Sequence, residues 1–166
     1  SAIIAAMAAN KTAVLNRFCQ HRHELVAASR FFNNDTVTRE ALINEQTERC
    51  SSLVEERHVL VIQDSSEISY SRHQGKFSPD DPELGPVGKD RGIGFFIHPS
   101  FVLDAESGFP LGYSDIHIWN RSWDKGTKHE RKYAALPIEE KESFRWIESS
   151  RKSKESLASA DTLTII

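Results

Sequence analysis

The sequence predicts an α/β chain. A helical segment over 1–57 is followed over 58–166 by the first half of a mixed sheet, ordered strand, strand, strand, helix, strand. Three observations predict it. Apolar residues recur three and four apart through the first third of the chain. At His58 that spacing collapses into a continuous apolar run, Val59-Leu60-Val61-Ile62. A second such run, Leu163-Thr164-Ile165-Ile166, follows a helical stretch, which is the pattern of a strand returning parallel to the first by a crossover.

In the helical segment, Ile3, Ile4, Met7, Val14, Leu15 and Phe18 keep helical spacing, with alanine filling between them. Ser1–Ala9 reads as the end of a helix that begins upstream; it has no basic lead-in and is too short to span a bilayer. Leu25, Val26 and Ala28 carry an apolar face to Phe31 and Phe32. Asn33-Asn34-Asp35 is then turn and cap chemistry. Thr38, Glu40 and Ala41 open another helix through Leu42 and Ile43, making about three helices in all.

The run at 59–62 is apolar at every position, the pattern of a central strand buried on both faces. Ile68–Tyr70 extends it beyond a kink. Ser71 to Arg91 holds Pro79, Pro82 and Pro86 without periodicity and reads as a long loop. Gly94–Leu103 is the second strand, Asp104–Gly108 a turn, and Leu111–Trp119 the third strand. Its apolar phase slips between Tyr113 and Ile116, which predicts a bulge. Asn120–Pro137 is charged loop. Ile138–Leu157 is predicted as a helix burying Phe144, Ile147 and Ala158, and 163–166 as the last strand.

With 39% hydrophobic and 27% charged residues, the 166-residue chain has an ordinary globular composition. Its net charge of −3 means that any nucleic-acid contact must come from local basic clusters. Cys19 and Cys50 stand outside any metal-ligand spacing and read as reduced thiols of a cytoplasmic protein. The seven histidines form no i, i+4 pair on a convincing helix, so a zinc site is not expected. His98, mid-strand, reads as a core histidine, and Trp119, Trp123 and Trp146 as anchors.

Candidate chemistry centres on Asp64, directly after the first strand. In open α/β sheets ligands gather beyond the carboxyl ends of strands, and a carboxylate there suits a hard cation such as Mg²⁺. An Asx turn or cap is the plainer reading of the same residue. Glu67 is a candidate second ligand, or equally a solvated turn residue. Ser66 stands where a dehalogenase-type phosphatase would carry its second aspartate, and no glycine-flanked serine elbow is present.

Val61-Ile62-Gln63-Asp64-Ser65-Ser66-Glu67-Ile68-Ser69-Tyr70 resembles the first-aspartate block of bacterial cut-and-paste DDE transposases of the Tn-five type. Ala28–Asn34 with Val37 resembles that group's upstream helix-turn segment. Asp90–Ser100 is similar to its second strand, Gly112 through Trp119 to its third, and Glu140–Trp146 to the start of its helix. The resemblance runs from about Phe18 onward. It implies an RNase H-like fold, a two-metal Mg²⁺ or Mn²⁺ site with Asp64 as a metal-binding catalytic residue, and phosphoryl transfer on double-stranded transposon-end DNA. It also implies another transposase subunit as partner. The family's second aspartate would come just after Ile166 and its glutamate much later.

For DNA contact the candidates are Arg22, Arg30 and Asn33 in the helical segment, and Lys89 and Arg91 beside the strands. Arg121, Lys125, Lys128, Arg131 and Lys132 form a further basic cluster. Two other readings use the same residues: a non-catalytic DNA-binding or interaction remnant of a transposase, or another RNase H-like nuclease.

Overall fold

The computed structural model describes residues 2–78, 81–88, 92–123 and 133–166. Among them the chain is mixed α/β, with five α-helices and one mixed sheet of six strands. It packs as two units, Ser1–Leu42 and Ile43–Ile166. The boundary read at 57/58 marks where helix gives way to strand. The packing division falls earlier because Cys50 and Val54 belong to the core beneath the sheet.

In the first unit, α1 (Ala2–Asn10), α2 (Leu15–Phe18) and α3 (Arg22–Phe32) replace the two helices that periodicity predicts. The break comes at Lys11, whose φ of 49° is left-handed. The Thr12 amide donates to the Met7 carbonyl and the Lys11 amide to Ala8, the bond pair of a Schellman termination. Such ends usually carry glycine, so a lysine there gives no warning. α3 starts with a capping box in which Glu24 accepts from the His21 amide at 3.0 Å. Phe18 and Ala28 are buried. Asn34 Oδ1 accepts from the Thr36 amide, and Thr38 Oγ1 from the Ala41 amide, as the turn and cap reading of 33–38 expects.

α4 (Arg39–Ser51) leads into the second unit. There β1 (His58–Gln63) pairs antiparallel with β4 (Gly92–Asp104) and parallel with β6 (Thr162–Ile165). β5 (Pro110–Trp119) lies along the other edge of β4. Register shifts in that pairing fall where the apolar phase slips, and a second lies nearer Pro110. Gly112 has a φ of +139°, and a Cβ there would lie 3.2 Å from that of Cys50, so glycine suits this bend. Two short strands within the predicted kink and loop were not legible as separate elements: β2 (Ser66–Ser69) and β3 (Gly85–Val87), both paired with β4.

The core of this unit is Cys50, Val54, Val59, Val61, Val102 and Leu157, all under one face of the sheet. Burying the Cys50 thiol pushes its pKa up to about 11, so it is an inert apolar filler. Two expectations need correction. β1 is not buried on both faces: Val59, Val61 and Gln63 are buried, Leu60 is intermediate and Ile62 is 40% exposed. The predicted helix starts later, as α5 (Phe144–Ser156), after a 3-10 turn at Ile138–Glu140. Nor does it bury Ile147 or Ala158, which are exposed. Its inner stripe is Ser149, Ser153 and Leu157, spaced by four. Serines on the inner face hid the phase of this helix.

Candidate metal-binding site

β1 and β2 form one ribbon along β4. Gln63 pairs with Ser100 and Ser66 with Ile97, so the register runs through unbroken, placing Asp64 opposite Pro99 and Ser65 opposite His98. Beyond either end of the ribbon the Tyr70 amide donates to the Ile93 carbonyl and the Ala105 amide to His58. Odd-numbered residues of β4 therefore direct their backbone groups toward this ribbon, since antiparallel bonding alternates. Pro99 is one of them, and it has no N–H to give. The Asp64 carbonyl thus loses its ladder donor, and strand geometry lapses at Asp64 and Ser65.

Side chains alternate across this break. Ser65 lies on the α5 side, where its Oγ and His98 Nδ1 are hydrogen-bonded at 2.9 Å. Alternation puts Asp64 on the opposite face, with Leu60 and Ile62. Asp64 is exposed, and its Oδ1 accepts from the Ser65 amide at 2.8 Å, an Asx-type contact. Glu67 takes the other face, and its Oε2 accepts from the Gly88 amide at 2.8 Å. Its carboxylate is a brace for the end of β3 and does not join Asp64. Among the described residues no three His, Cys, Asp or Glu side chains come together to hold a metal ion. Asp64 fits one ligand position, as an open carboxylate with lone pairs to offer, and the chain brings no further ligand beside it among those residues.

Beneath Asp64 the sheet–α5 interface is polar. His98 is fully buried against the Trp146 ring, with centroids 4.8 Å apart. Burial pushes its pKa down, against the pull of Asp115 and of Asp64, so the ring is neutral at physiological pH. His98 Nε2 has no hydrogen-bond partner among the described residues. Ser149 Oγ donates to Asp115 at 2.6 Å, and Ser114 and Ser153 hydroxyls meet at 2.8 Å. With its amide oriented to satisfy both ends, Gln63 donates to the Trp146 carbonyl (3.2 Å) and accepts from the Ser150 amide (3.2 Å). The core histidine was legible in sequence. The serine facing it was not, although a proline beside a histidine inside a strong strand pattern is a signal for such a break.

The DNA candidates divide between the first unit and residues outside those described. Arg22 opens α3, Arg30 closes it and Asn33 caps it, all exposed. At 3.6 residues per turn Arg22, Ser29 and Asn33 share one stripe, and Asn33 Nδ2 donates to Ser29 Oγ at 3.3 Å. These residues belong to the first unit and Asp64 to the second. Lys89 and Arg91 lie outside the described residues, as do Lys125, Lys128, Arg131 and Lys132. Arg121 is engaged: it donates to both oxygens of Glu142, at 2.9 and 2.6 Å, and stacks over Phe96. No helix among the described residues is long and apolar enough to cross a membrane. No family model matches the chain, and no curated protein matches it.

Proposed function

We propose that the chain is the N-terminal and first catalytic portion of a DDE transposase, with an RNase H-like catalytic domain acting on transposon-end DNA in the cytoplasm. The observation that carries this reading is Asp64, held open at a backbone break at the end of β1, which pairs parallel with β6. Two features support it further. The strands lie side by side as β5, β4, β1, β6, with β6 parallel to β1 and α5 between β5 and β6 in sequence. In the register of β6, where the Gln63 amide donates to the Ile166 carbonyl, the next position along would stand beside Gln63, one residue from Asp64. That is where the transposase resemblance expects a second aspartate.

In this reading Asp64 would be one oxygen ligand of a Mg²⁺ or Mn²⁺ site whose ions activate the attacking hydroxyl and stabilise the leaving oxygen. The chain's own part is to present that carboxylate. Among the described residues only one of its oxygens has a protein contact, which leaves the other to bind a cation. Arg22, Arg30 and Asn33 would contact DNA phosphates along α3 and fix the register of the end without reading its bases. A second transposase subunit is the expected protein partner.

The test is cleavage of DNA carrying the terminal repeats that flank the gene, by the protein that contains this chain. Asp64→Asn is expected to retain end binding and to lose cleavage by about 10³-fold or more, since a charged metal ligand becomes neutral. Cleavage by Asp64→Asn at the rate of the parent overturns the assignment.

A further inference from the structure

We infer that Ser65 and His98 are positioning residues for Asp64, a latch that closes the backbone break opened by Pro99; the inference rests on Asp64 being a metal ligand. β4 is an interior strand, paired on both edges, and proline is rare in such a place because the ladder loses a donor. Here the lost donor is the one that would have bonded the Asp64 carbonyl. A break in a central ladder lets Asp64 and Ser65 leave strand geometry, which by itself would leave the carboxylate loosely aimed.

Ser65 then anchors the turn from the opposite face. Its hydroxyl meets His98 Nδ1 at 2.9 Å, and its amide donates to Asp64 Oδ1 at 2.8 Å. One residue thus grips both the carboxylate and the buried ring. His98 cannot give way: it is fully buried, with Trp146 against it. The ring is also costly to keep there, because Nε2 has no partner among the described residues. A leucine would fill the same space without that cost, so the histidine is explained by what Nδ1 holds. Local rules broken together, as the interior proline and the half-satisfied buried histidine are, mark functional positions in a fold.

Two measurements on the whole protein that contains this chain test this, with Mn²⁺ alone as the probe. Ser65→Ala removes the latch at a surface position without disturbing packing, and Ser65→Thr keeps the hydroxyl. Exchange of the Ser65 amide with deuterated solvent is expected to quicken about tenfold in Ser65→Ala and to stay at the parent rate in Ser65→Thr. Mn²⁺ affinity, read from the electron paramagnetic resonance signal of the free ion, is expected to fall about tenfold in Ser65→Ala and to be restored in Ser65→Thr. Both changes should come with an unaltered circular-dichroism spectrum. His98→Gln is expected to match Ser65→Ala in exchange if it folds. Parent-like exchange and Mn²⁺ affinity in Ser65→Ala, with binding lost in Asp64→Asn, overturn the latch and leave the metal reading standing. Parent-like Mn²⁺ affinity in Asp64→Asn overturns the metal reading, and the latch's role in ion binding with it.

Discussion

The two ends of the interface between α5 and the sheet are built on opposite principles. At the base, Val59 and Val61 of β1, Val102 of β4 and Leu157 at the end of α5 meet Cys50 and Val54 in a dry apolar cluster. Toward Asp64, each of the same three elements turns polar: Gln63 on β1, Ser100 and His98 on β4, Ser153 and Ser149 on α5, all buried. The base is held by area removed from water, which has no direction. The upper end is held by hydrogen bonds, which fix distances and angles. A fold needs the first to be stable and the second to keep a side chain where chemistry requires it.

The largest expected effect tests the base. Leu157→Ala should cost about 2–5 kcal/mol, because Leu157 is fully buried in the apolar cluster and its loss leaves a cavity there. Urea unfolding measures it. Next comes the polar end: Ser149→Ala removes the 2.6 Å bond to the buried Asp115 carboxylate and should cost about 1.5–3 kcal/mol. If the serine variant proves the more damaging, the division between a stabilising base and an aligning upper end is wrong. The smallest effect concerns Asp104, a polar pin at the base end of β4. The Ser107 hydroxyl and amide, then Arg57, hold its carboxyl well below the usual range. A lowered folded pKa gives stability that is present above the unfolded value of about 4 and lost as pH falls below it. Asp104→Asn should therefore flatten the fall in thermal midpoint between pH 6 and pH 3, without abolishing it.

The same division decides what the sequence could convey. The apolar strands β1, β4, β5 and β6 stand out because burial writes itself in side-chain type, and even the bulge in β5 shows as a phase slip. The inner face of α5 does not, because Ser149 and Ser153 are the residues that solvent-facing helices also use. The run 59–62 misleads in the other direction: it carries apolar residues on both faces, yet only one is buried here. The position of Asp64 directly after a strand was legible. Its setting was not, because Ser65 lies more than thirty residues in the chain from the His98-Pro99 pair that the register brings beside it.

The two-residue interval between β1 and β2 is consequently a matter of length as much as of composition. Adding one residue directly after Gln63 would reverse the parity of everything downstream of it. The serine would then point outward and the carboxylate into the helix-covered side, with no change in residue type at either place. A single-codon insertion there would turn the site inside out.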